Sequence, residues 1–159
     1  MDKLDDKYFM NLALKEAENA LNGDEVPVGA VIASAGGEVI SSAFNTVESD
    51  VSCIMHAEIN AILAAQKKLN NWRLDECSLY VTLEPCIMCC GAILLSRIGR
   101  VVYGASDPKG GASSSILGGK IELIGGIMEN YSSILLKSFF KSKRQSIRFD
   151  KSANAGGSK

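Results

Sequence analysis

Cys86 and Cys89 are the residues of this 159-residue chain whose type and spacing best suit them to chemistry. They stand in Thr82-Leu83-Glu84-Pro85-Cys86-Ile87-Met88-Cys89-Cys90. Three positions apart, they share one face of a helix. Pro85 just before Cys86 suits a helix start, where its missing N–H costs nothing. Thiols on a first helical turn sit at its positive end, which favours thiolate. Thiolates so placed bind metal or do redox work. Cys90 is adjacent, but neighbours on a helix diverge by about 100°, so it is expected to point away.

The chain has one histidine, His56, in Met55-His56-Ala57-Glu58. An imidazole and two thiolates together favour zinc among the common metals. Three protein ligands leave a position for water, which marks a catalytic zinc site rather than a structural one. Zinc brings the pKa of bound water toward ~7. Glu58, two residues after His56 at a helix start, falls near the open side. A carboxylate there takes the water proton and passes it to a leaving group. The expected centre is one Zn2+ on His56, Cys86 and Cys89, with Glu58 as the catalytic proton shuttle.

Composition bounds the rest. Hydrophobic content of 47% and charged content of 22% are those of a soluble globular domain. No apolar run reaches the ~18 residues of a membrane span. The acidic stretch Met1–Asp6 lacks a signal peptide's apolar core, so a cytoplasmic protein is expected. In a reducing compartment, metal binding or catalysis is favoured over disulfides. Cys53 and Cys77 are expected to be ordinary small apolar residues. A net charge of −1 argues against a broadly basic nucleic-acid binder. However, Lys137, Lys141, Lys143, Arg144, Arg148 and Lys151 stand against Asp150 alone between positions 137 and 151. Such a run is a solvated face or a local phosphate-binding patch.

These residues need elements to position them. Apolar periodicity predicts helices over 5–22, 55–69, 86–96 and 127–144. Strands are expected at 26–33, 38–44, 78–82, 100–104 and 121–124, the first two joined by a hairpin turn at Ala35-Gly36-Gly37. The Gly- and Ser-rich stretch 105–119 reads as a loop. A hairpin followed by helix-linked strands predicts an α/β fold, with a five-stranded mixed sheet covered on both faces. Residues 1–150 are expected to form a single domain and 151–159 a disordered tail.

His-x-Glu followed by Pro-Cys-x-x-Cys resembles the signature of the zinc nucleobase deaminases, whose activated water attacks C6 of adenine or C4 of cytosine. A wider set of stretches resembles the bacterial tRNA-specific adenosine deaminases. These are Glu25–Val31, His56–Glu58, Asn71–Leu74, Leu79–Cys86, Ser96–Ala105 and Asp107–Gly111. The resemblance covers roughly residues 8–148. It implies the three-layer α/β/α sandwich of the cytidine deaminase-like fold. It also implies a homodimer that converts the wobble adenosine of a tRNA anticodon stem-loop to inosine and releases ammonia. Asn45 matches the family's base-contacting Asn, and Asp107 its acid beside the anticodon nucleotides. Lys109 falls in the matching Asp107–Gly111 segment. Phe139, Phe140, Lys143 and Arg144 match an aromatic and basic segment lying along the RNA. At most one of the two phenylalanines can face the RNA while the other packs inward. The chain departs from the pattern at Ala112–Lys120, where the family has a longer segment with a short helix. The other reading of the same zinc motif is a deaminase of a free base or nucleoside: guanine, cytosine or cytidine.

Overall fold

The structure is a computed structural model; it describes residues 5–155, with side chains described through Ile147. The elements are α1 (Asp6–Asn22), β1 (Gly29–Ser34), β2 (Val39–Phe44), α2 (Ala57–Leu69), β3 (Cys77–Leu83), α3 (Ile87–Leu95), β4 (Arg100–Ala105), α4 (Ser113–Ile116), β5 (Glu122–Ile124) and α5 (Glu129–Ala155). The strands form one sheet in the order β2-β1-β3-β4-β5. β1 is antiparallel to both β2 and β3, while β3, β4 and β5 are mutually parallel. β2, β3 and β4 therefore run the same way, and their C-terminal ends lie along one edge of the sheet.

The period of two along each strand sorts the core onto two faces. Ala30, Ile32, Leu79, Val81 and Val101 pack with Ala57, Ala61, Ala65, Cys90 and Ile93, so α2 and α3 cover one face. Val31, Ala33, Tyr80 and Val102 pack with Phe9, Met10 and Ala13, so α1 covers the other. α5 lies beside α1 against β3 and β4. This is the expected three-layer α/β/α arrangement around a five-stranded mixed sheet. A β-carbon at Gly29 would overlap the Ala13 carbonyl oxygen, so glycine is what lets α1 approach β1 this closely. Asp5 caps α1 by accepting from the N–H groups of Lys7 and Tyr8. Asn70 ends α2 in the left-handed conformation.

The structure corrects three expectations. The stretch 105–119 is not all loop, because it contains the single turn α4. Four residues are too few for apolar periodicity to show. α5 runs to Ala155 rather than stopping near 144, so it overlaps the tail expected from 151. Lys, Arg and Gln are good helix formers and need no buried face to continue a helix. Residues 156–159 lie outside the described residues. Cys77 is buried as expected, but Cys53 is exposed, in the turns leading to α2. No described helix is long and apolar enough to cross a membrane.

One polar network ties α1 to the sheet. The Arg100 guanidinium holds both Asp6 carboxylate oxygens at 2.9 Å and reaches Glu122 Oε2 at 3.1 Å. It also donates to the Tyr80 hydroxyl at 3.1 Å, which in turn donates to Asp6 at 3.2 Å. Asp6 pushes the Arg100 pKa further up, and burial pushes Tyr80 up to about 12. Replacing Asp6 with Ala leaves Arg100 mostly buried with one partner fewer. The expected loss is about 2 kcal/mol, read as a drop of roughly 4–8 °C in Tm. Asp75→Ala, at the exposed pair with Arg73, should leave Tm nearly unchanged; equal losses would refute the difference drawn between the two pairs.

Candidate active site

The chain turns from β3 into α3 at Pro85-Cys86, and from a loop into α2 at Met55-His56. His56 is the N-cap residue of α2 and Cys86 that of α3, both with extended backbone. Neither side chain bonds its own helix, so both are free to point elsewhere. Cys89, one turn into α3, points the same way. The Sγ atoms of Cys86 and Cys89 lie 3.7 and 3.6 Å from His56 Nδ1, and all three ligand atoms fall within 4.8 Å of one another. Zn–S of ~2.3 Å and Zn–N of ~2.0–2.1 Å at a tetrahedral angle give a nitrogen–sulfur separation of roughly 3.6 Å. The donor set and its spacing therefore fit zinc. Cys90 points away into the core, with its thiol toward the Pro85 carbonyl oxygen at 3.6 Å.

Glu58 follows in the first turn of α2 and is buried. Burial pushes its carboxyl up to about 7, against the opposing pull of its own backbone N–H and the Cys89 thiol. Burial, with Glu58 and Cys86 nearby, pushes the Cys89 thiol far up. It also lowers the His56 pKa, which favours the neutral imidazole that ligates metal. No lysine or arginine lines the cavity beside these groups among the described residues. The compensating positive charge comes from two helix N-termini and from whatever cation the three donors hold.

That cavity is about 270 Å³, at the small end for ligand sites, so it suits one nucleobase. Its walls include Glu25, Val28, Asn45, Glu48, Glu58, Glu84 and Asp107. Asn45 follows β2 and is buried. Asp107 follows β4, and its Oδ1 accepts from the N–H groups of Lys109 and Gly110 at 3.0 Å. Lys109 itself is exposed.

The structure therefore brings Asn45 and Asp107 to the metal donors. On α5, Phe139 is buried and Phe140 exposed, the division expected of the pair. Lys143 is held by Asp24 and lies over the Phe139 ring, while Arg144 is exposed. The side chains of Arg148 and Lys151 lie outside the described residues.

Two carboxylates matter more than their sequence suggests. Glu84 accepts from the Asp107 N–H at 2.9 Å and the Ser113 hydroxyl at 2.7 Å. A β-carbon at Gly111 would run into it. Glu25 accepts from the Asn45 amide and two backbone N–H groups of the next loop. The only hint of either is an acid set at the edge of an apolar run, Glu25 before Val26 and Glu84 after Leu83.

The site should take up one zinc per chain, measured by elemental analysis of the purified protein. Cys86→Ala should lose it and Cys90→Ala keep it. Retention by the first, or loss by the second, would refute the ligand set.

Residues 3–105 match the family model described as the cytidine and deoxycytidylate deaminase zinc-binding region. The chain is 42% identical over 148 residues to a tRNA-specific adenosine deaminase of Bacillus subtilis, covering 88% of this chain and 91% of that one. Among solved structures it is similar, at 42% identity and a TM-score of 0.77, to one from a study of A-to-I editing by tRNA:A34 deaminases at the wobble position of transfer RNA. That match covers 81% of this chain and 99% of the other. A guanine deaminase of Bacillus subtilis is more distant, at 34% identity and a TM-score of 0.61 over 73% of this chain and 71% of its own. With its donor set, its buried Glu58 and these relatives together, the chain belongs to the zinc-dependent deaminases, in the family of the tRNA-specific adenosine deaminases.

Proposed function

We propose that the protein hydrolyses the wobble adenosine of a tRNA anticodon stem-loop to inosine, as a cytoplasmic homodimer. The observation that carries this reading is the meeting of His56, Cys86, Cys89 and buried Glu58 at one base-sized cavity. His56, Cys86 and Cys89 hold zinc, which when bound makes water a nucleophile at neutral pH. The net reaction consumes one water, forms a C6–O bond, breaks the C6–N bond and releases ammonia.

Glu58 moves the protons. With its carboxyl raised to about 7, it can both take a proton from the attacking water and return it to the leaving amine. Asn45 offers a donor and an acceptor to the base. The cavity wall carries five acids, Glu25, Glu48, Glu58, Glu84 and Asp107, and neither lysine nor arginine among the described residues. Such a wall admits a neutral base and repels phosphate, so the backbone stays outside. Exposed Phe140, Lys109 and Arg144 are placed to meet that backbone and the unstacked bases of the loop. An exposed pair such as Lys143–Asp24 is worth under about 1 kcal/mol, so a phosphate can compete for this lysine. Exposed Leu63 on α2 and Ile87 and Leu95 on α3 supply apolar surface for a second copy.

Zinc-loaded protein incubated with an anticodon stem-loop carrying A34 should form inosine there. It should leave free guanine, cytosine and cytidine unchanged. Glu58→Ala should lower the single-turnover rate by about 10²–10⁴ while keeping zinc. Deamination of a free base with no inosine in the RNA would overturn the substrate assignment. An unimpaired Glu58→Ala would overturn the proton shuttle.

A further inference from the structure

Glu25 is 2% exposed, at the wall of the cavity. Three donors converge on it. Its Oε1 accepts from the Ser49 N–H at 2.7 Å, and its Oε2 from the Glu48 N–H at 3.1 Å and from Asn45 Nδ2 at 3.3 Å. We propose that Glu25 is a positioning residue that turns the Asn45 amide so that its Oδ1, an acceptor, faces the substrate. The inference rests on the deaminase reading above and adds how the base-contacting amide is oriented.

The argument is one of donor and acceptor chemistry. A side-chain amide can present either its oxygen or its NH2 to a given neighbour, and only the hydrogen-bond network decides. A carboxylate accepts and cannot donate. The face of Asn45 turned to Glu25 must therefore be the NH2. A flipped amide would set two acceptors against each other in a buried site.

The Asn45 backbone is itself fixed, since its N–H donates to the Val28 carbonyl. Asn45 is 6% exposed, so its side chain has little room to turn away. No described group donates to its Oδ1, and the residue lines the cavity. The cavity thus offers an acceptor at this point and selects a substrate group that donates. The bonds from Glu48 and Ser49 leave a second possibility, that Glu25 only anchors the rim loop.

The test separates the two. Glu25→Met keeps the length but offers no acceptor, so nothing holds the Asn45 amide with its NH2 turned inward. A glutamine would not serve, because its oxygen can take the Oε2 place, where two donors converge, and leave Asn45 as it is. Initial rates on the A34 stem-loop are compared at equal zinc content and well below each variant's Tm. Glu25→Met should lower kcat/KM by about tenfold or more, and Asn45→Ala by a similar factor. If Glu25 acts through Asn45, the Glu25→Met/Asn45→Ala double variant should lie within about twofold of Asn45→Ala alone. Multiplying losses would assign Glu25 to the loop alone and overturn the proposal.

A second variant guards against simple misfolding. Asn45→Asp sets two carboxylates against each other, whereas Glu25→Gln/Asn45→Asp restores a donor–acceptor pair and keeps an acceptor facing the cavity. The double variant should recover at least about threefold over Asn45→Asp, and no recovery would overturn the orientation. If the wild-type protein forms no inosine, the substrate assignment itself falls. If inosine forms but these rate patterns are absent, only the role of Glu25 falls.

Discussion

The two helices that frame the site, α2 and α3, begin on residues that leave them uncapped. A Ser, Asp or Asn at an N-cap satisfies an orphan N–H and is worth about 1 kcal/mol over a residue that does not. His56 and Cys86 occupy those positions in α2 and α3 and bond neither helix. Instead they turn into one small volume, where Cys89 joins them. The positive ends of two helices therefore converge where two thiols and the Glu58 carboxyl must carry charge. A metal ion can supply the remaining positive charge.

The rest of the architecture serves that convergence. Both helices must start at the same edge of the sheet, which requires β2 and β3 to run the same way. Antiparallel β1 between them achieves this. The same geometry puts Asn45, Glu84 and Asp107, at the C-terminal ends of β2, β3 and β4, beside the segment leading into β1 that carries Glu25. Ligands in open α/β sheets gather at the carboxyl ends of strands for this reason. The loops at that edge have little core of their own. Glu25 pins 45–49 and Glu84 pins 107–113 by accepting their donors.

Much of this was legible in the chain itself. His56, Cys86, Cys89 and Glu58 carry their chemistry in their types and spacing. Both apolar periods were clear enough to place the five strands and to predict a mixed sheet covered on both faces, though not the order of its strands. What stayed hidden was local and polar. Glu25 and Glu84 act by accepting backbone N–H groups, and nothing in a sequence shows where those donors will point. The Arg100–Asp6 pair joins residues 94 positions apart. α4 is too short to show a period, and α5 runs on past the apolar periodicity that marks it in the sequence. Lys143 reads as a free cation until Asp24, across the fold, is seen to hold it.

The charge distribution explains how a chain of net charge −1 can be suited to a polyanion. Five of its acids line the cavity, where phosphate should not go. Exposed basic residues stand instead on α5, where Lys137, Lys141 and Arg144 fall on one helical face at steps of four and three. Phe140 lies among them, three residues from Lys137 and four from Arg144, with its ring exposed. An aromatic flanked by cations is a platform for an unstacked base with phosphates on either side. On the proposed reading, the two regions divide recognition between them. The helix holds the strand by its backbone, and the acidic cavity takes in only the base, which is neutral. A chain that was basic throughout would bind more RNA but lose this discrimination, because nothing at the cavity mouth would keep the phosphates out.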